Sequence, residues 1–78
     1  MQLEPLKVPL VADERGKLHV EGKRITLEQI LHAYESGATA EEIVDMMPVL
    51  ALAEVYAILS FYLVHRRDIE AYRASFAA

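Results

Sequence analysis

A mainly α fold is predicted, in which an N-terminal β-hairpin leads into a three-helix, helix-turn-helix-like domain of the homeodomain or winged-helix kind with a long C-terminal helix. Three observations predict it: two short β-type runs split by turn residues, two helix-capping boxes in quick succession, and a final apolar stretch of helical spacing. Residues 1–78 make one domain, with the hairpin in 1–21 and the helical part in 22–78.

The β-type runs are Leu6 to Ala12 and Leu18 to Val20, separated by Asp13-Glu14-Arg15-Gly16-Lys17, whose aspartate and glycine are turn residues. Glu21-Gly22-Lys23-Arg24 is a second turn. Thr26 with Gln29 three residues on forms a capping box, and Ile25 and Ile30 stand at the two positions of a hydrophobic staple. Leu27, Ile30, Leu31 and Tyr34 give that helix one apolar stripe, and Gly37 is placed to end it in a left-handed conformation. Its span is therefore about Leu27 to Glu35. Thr39 and Glu42 repeat the box at once, Ile43, Val44, Met46 and Met47 supply apolar contacts, and Pro48 closes the second helix. The third opens near Leu52 and runs to about Ser75, although Ala51 stands where a capping hydroxyl belongs, a loss of roughly 1 kcal/mol.

Leu52, Val55, Tyr56, Leu59 and Leu63 fall on one face of this last helix, the face expected to cover the first two. Phe61 lies nearly opposite, beside Ala57, Ile58 and Val64, and a single small core cannot bury both stripes. Ala57, Ile58, Phe61 and Val64 are accordingly the expected homodimer interface, where a two-fold contact counts each residue twice. The alternative is a monomer in which the hairpin folds back over the Phe61 face.

A chain of 78 residues is near the size at which one core barely offsets conformational entropy. It has no cysteine, which removes disulfides and the commonest structural metal sites and leaves association as the extra source of stability. Lack of cysteine and of a signal-like start over Met1 to Leu10 makes the cytoplasm the expected compartment. The charge-free run Val55 to Val64 is half of the roughly 20 residues a membrane span needs. The net charge of −4 opposes general attraction to nucleic acid and suits a basic protein partner.

Three histidines, three serines and three aspartates are present, but no spacing assembles a nucleophile with its base, so no enzymatic activity, catalytic residue or cofactor is expected. Glu28, His32 and Glu35 share one side of the first helix, which reads as a solvated face, not a metal site. His19 is expected to point outward from its strand, and His65 to sit at an interface edge with Arg66 and Arg67. Helix-turn-helix spacing raises DNA binding, yet Leu52, Ala53, Glu54, Val55, Tyr56 and Ala57 offer no base-reading cation or amide. Arg15, Lys17, Lys23 and Arg24 form instead a possible phosphate-contacting patch on the hairpin and its following turn, doubled in a dimer. Ile69, Tyr72 and Phe76 have the spacing of a helix laid in another protein's groove, or of one packed on the second subunit.

Gly22-Lys23-Arg24-Ile25-Thr26, Gly37-Ala38-Thr39-Ala40-Glu41-Glu42-Ile43, Pro48, Val55-Tyr56-Ala57, Tyr62-Leu63-Val64-His65-Arg66 and Ala71-Tyr72 together resemble the VapB-like antitoxin family first catalogued as bacterial domain of unknown function four-three-three. The likeness covers about Val20 to Arg73. It implies a dimeric, helix-turn-helix-like antitoxin that inhibits a PIN-like ribonuclease toxin by direct binding and that can also repress its own operator DNA. By the same resemblance Gly22 is the turn glycine, Arg24 the basic residue, Thr26 the helix cap, Gly37 the helix stop, and Tyr56 with Tyr62 an aromatic pair. Ala51 and Lys23 depart from the family, which usually carries a hydroxyl residue and threonine there.

Overall fold

The computed structural model describes residues 7–76. Two antiparallel strands, β1 (Leu10–Ala12) and β2 (Leu18–Val20), precede four helices, α1 (Leu27–Glu35), α2 (Ala40–Met46), α3 (Leu52–Val64) and α4 (Arg66–Ser75). The fold is mainly α behind an N-terminal hairpin, as the sequence predicts. Leu6, assigned to the first β-type run, lies outside the described residues.

The hairpin pairs Leu10 with Val20, Val11 with His19 and Ala12 with Leu18. Its turn is built by Asp13, whose Oδ1 accepts from the backbone of Arg15 at 2.8 Å and of Lys17 at 3.0 Å. Gly16 adopts a φ of 82° there, where a side chain would be strained. Those two backbone donors also hold the Asp13 carboxyl below its ordinary value. His19 does not point freely outward: it is half-buried, with Nδ1 3.2 Å from the carbonyl oxygens of both Val20 and Lys23.

Both capping boxes form. The Gln29 amide donates to Thr26 Oγ1 at 3.2 Å and the Thr26 amide to Gln29 Oε1 at 2.7 Å. The Glu42 amide donates to Thr39 Oγ1 at 3.1 Å, answered by the Thr39 amide to Glu42 Oε1 at 2.9 Å. Gly37, at φ 99°, ends α1 as expected. Ala51 has the extended backbone of an N-cap but no side-chain cap bond, and α3 starts with only the Glu54 carboxylate returning to the Ala51 amide at 2.8 Å.

The core gathers Val20 from the hairpin, Leu27, Ile30 and Leu31 from α1, Ala40 and Ile43 from α2, Leu50, then Val55, Ile58, Leu59 and Tyr62 from α3, with Ile69 from α4. Two features differ from the sequence-based expectation. The long last helix is jointed at His65, whose φ of −110° and ψ of 34° leave helical values, and this separates α3 from α4. The joint lets Ile69 enter the core and Tyr72 reach the hairpin, where Tyr72 Oη accepts from the Leu18 amide at 2.7 Å. Arg73 adds a two-pronged ion pair to Glu35 of α1 at 2.8 and 2.9 Å.

The second difference concerns the phase of α3. Its buried residues point between the two predicted stripes: Val55, Ile58, Leu59 and Tyr62 face inward, whereas Leu52, Tyr56 and Leu63, assigned to the core face, are exposed. A helix apolar on nearly every side settles on whichever direction packs most volume, and here the large Tyr62 and Ile58 side chains decide it.

Candidate protein-interaction surface

Among the described residues, no group of three or more His, Asp or Glu side chains comes together to hold a metal ion. Glu28 turns toward the hairpin, with a carboxylate oxygen 3.9 Å from Lys17 Nζ, while Glu35 is engaged by Arg73. Burial, together with the nearby Glu28 carboxylate, pushes the Tyr72 hydroxyl up to about 12. Tyr72 therefore stays protonated and serves as a strut between α4 and β2.

The most prominent surface feature is the outer side of α3. Val64 is 74% exposed, Leu63 52% and Tyr56 51%, a concentration of apolar area on one helix. Ser60 and Val64 form a low ridge between two grooves. One groove, of about 530 Å³, is lined by Tyr34, Ala40, Tyr56, Leu59 and Leu63; the other, of about 430 Å³, by Val8, Ala57, Phe61 and His65. Charges flank the ridge asymmetrically. Near its start Tyr56 Oη donates to the Glu41 carboxylate at 2.6 Å, a bond that holds the Glu41 carboxyl below its ordinary value. Past its end stand exposed His65, Arg66 and Arg67, with the Arg66 guanidinium 5.4 Å over the Tyr62 ring.

The residues singled out for the interface divide accordingly. Val64 is open, Ala57 and Phe61 are half-buried beside the second groove, and Ile58 is fully buried in its own chain's core, so Ile58 cannot touch a partner. Val8, just ahead of β1, shares the groove wall with Phe61, so the N-terminal segment covers part of that face without sealing it. The C-terminal trio is likewise split. Ile69 is buried and Tyr72 is spent on Leu18, which leaves Phe76, stacked on Tyr72 at 5.0 Å, as the exposed member. Tyr56 and Tyr62 are not in contact as a pair: Tyr62 meets Tyr34 edge-on at 6.2 Å, and Tyr56 stands outside.

The proposed cationic patch does not survive as four free charges. Lys23 is ion-paired with Glu54 of α3 and Lys17 lies within ion-pair reach of Glu28, while Arg15 and Arg24 are exposed. Both acidic partners lie far along the chain from their lysines, on helices that the hairpin and the following turn fold against.

Compared with known families, residues 14–62 match the model of a family described as "Protein of unknown function (DUF433)". The chain belongs to this family. The matched span runs from the hairpin turn through α1 and α2 to Tyr62, so this DUF433 chain shares the α1–α2 unit and most of α3 with its family, while α4 lies outside the span. No curated protein matches it, and no solved structure does. Among the described residues no helix is long and apolar enough to cross a membrane.

Proposed function

We propose that this DUF433 protein is an antitoxin-like binding protein of the cytoplasm, without enzymatic activity, that works as a homodimer and inhibits a PIN-like ribonuclease toxin by direct contact. The observation that carries the reading is the uncovered apolar ridge of α3 with a groove on each side, a shape suited to a second protein surface and to no small-molecule chemistry.

The ridge also suits a second copy of itself. Ser60 lies midway between Tyr56 and Val64, each four residues or about 6 Å along the helix. Two α3 helices crossing antiparallel at Ser60 would set Val64 over the partner's Tyr56, with the small serine allowing close approach. The same arrangement brings Arg67 toward the partner's Glu41, so the opposite charges at the two ends of the ridge complement each other. Contact with operator DNA would rest on Arg15 and Arg24 alone, beside acidic Glu41, Glu42 and Asp45 on α2, and is the weaker reading.

The test is co-expression of the chain with the product of the adjacent gene, followed by co-purification and an RNA-cleavage assay. A stoichiometric complex in which cleavage is suppressed supports the proposal. A neighbour that is no nuclease, harmless alone and unbound, removes it.

A further inference from the structure

A different surface, away from the α3 ridge, has a composition that specifies its occupant. A groove of about 810 Å³ runs between α1 and α2, floored by Ala33 and Ala38 and walled by Met46 and Met47. Met46 is 56% exposed. Two flexible thioethers beside small residues make an adaptable apolar trough that lets a partner backbone approach closely. Glu42 and Asp45, one helical turn apart on α2, stand exposed along it, and among the described residues no lysine or arginine lines it. The Glu42 carboxylate caps α2 and keeps its charge; Asp45 makes no ion pair among the described residues. On α1 the wall extends from Gln29 to Ser36, seven residues or about 10.5 Å, the distance between i and i+7 anchors on a docked helix.

We propose that this groove is the docking site for a basic amphipathic helix of a protein partner, its apolar anchors on Met46 and Met47 and its lysines or arginines on Glu42 and Asp45. The acidic edge repels phosphate, which excludes nucleic acid from the same place. The whole groove lies within the span matched by the family, so the inference concerns the shared α1–α2 unit. It rests on the toxin-binding reading only in assigning that helix to the nuclease; its chemistry stands apart from that name.

The probe is a synthetic amphipathic peptide of leucine and lysine, about 14 residues or four helical turns long. Methyl NMR of protein carrying ¹³C-labelled methionine follows binding, with the Met46 and Met47 signals assigned from Met46→Leu and Met47→Leu. The expected result is a saturable shift of both signals, an affinity at least fivefold weaker in the Glu42→Gln/Asp45→Asn variant, and no binding of the corresponding leucine–glutamate peptide. Glutamine retains the capping role of Glu42, and circular dichroism checks that the variant folds. Leu63→Ser, on the α3 ridge, is expected to leave the affinity unchanged. Unmoved methionine signals up to millimolar peptide, or equal affinity with and without the two carboxylates, overturns the proposal. If the adjacent nuclease binds and the double variant binds it equally well, the groove fails while the toxin reading stands. If the peptide binds as expected and no nuclease does, the toxin reading fails and the groove stands.

Discussion

Replacing Val64 by glutamate separates association from folding. Val64 is 74% exposed, so its side chain contributes little to its own chain's core and much to anything that covers α3. Full burial of a valine stabilises by about 1.5–3 kcal/mol, so covering the exposed three-quarters is worth about 1.1–2.2 kcal/mol per copy. A two-fold contact counts it twice, about 2.2–4.4 kcal/mol, which raises the dimer dissociation constant roughly 40- to 1,400-fold. A carboxylate held in the apolar contact only adds to this. Glutamate is a good helix former, so the monomer should keep its thermal stability within about 0.5 kcal/mol. Phe61→Glu is a poorer test, because Phe61 also packs against the core and its loss would damage the monomer. Sedimentation velocity from micromolar to millimolar concentration reads the outcome: wild type near twice 8.8 kDa, the variant near 8.8 kDa, with unchanged circular dichroism. A wild-type chain that stays at 8.8 kDa throughout, or a variant that dimerises like wild type, refutes the antiparallel α3 contact.

Three further outcomes follow from the geometry. Ala51→Ser should raise stability by about 1 kcal/mol in thermal denaturation, since the backbone at 51 is already that of an N-cap and only the hydroxyl is missing. Tyr72→Phe should cost about 1–2 kcal/mol by leaving the part-buried Leu18 amide without its acceptor, and amide exchange at Leu18 should quicken. The Arg73 guanidinium holds the Glu35 carboxyl below its ordinary value of 4.5, and the Ala51 amide and Lys23 do the same for Glu54. Carboxyls depressed in the folded state stabilise it above the ordinary value and lose that contribution as pH falls through their lower folded values, so stability should decline below about pH 4.5. In Arg73→Ala the decline should be shallower; both groups are solvent-exposed, so the difference is modest, and urea titrations between pH 3 and 6 measure it.

What could be read from the sequence was the chemistry that acts over three or four residues. Thr26 with Gln29, Thr39 with Glu42, the Asp13 turn and the Gly37 stop each carry their own hydrogen bonds or backbone preference, and each stands where its spacing predicts. The phase of α3 was not legible, because apolar residues on almost every side leave its periodicity uninformative until Tyr34, Ile43 and Val20 arrive to choose a direction. The joint at His65 was hidden for a related reason: nothing local breaks the helix, and the bend is imposed by where Ile69 and Tyr72 find burial and a partner. For the candidate surfaces, Val64 was identified correctly as exposed and Ile58 was not. The two lysines of the supposed phosphate patch were miscounted as free because Glu28 and Glu54 meet them only in the fold. The α1–α2 groove went unseen, since Met46 and Met47 read in sequence as helix core.

Tyr72 ties the last helix to the second strand across 54 positions of chain, and this sets the order of events at the ribosome. Two strands of three residues each cannot persist alone in water. At roughly 5–20 residues per second the tyrosine emerges about 3–11 s after the leucine whose amide it accepts. Throughout that interval the nascent hairpin lacks its strut, and a chain cut short before Tyr72 would leave its first residues in that unfinished condition for good.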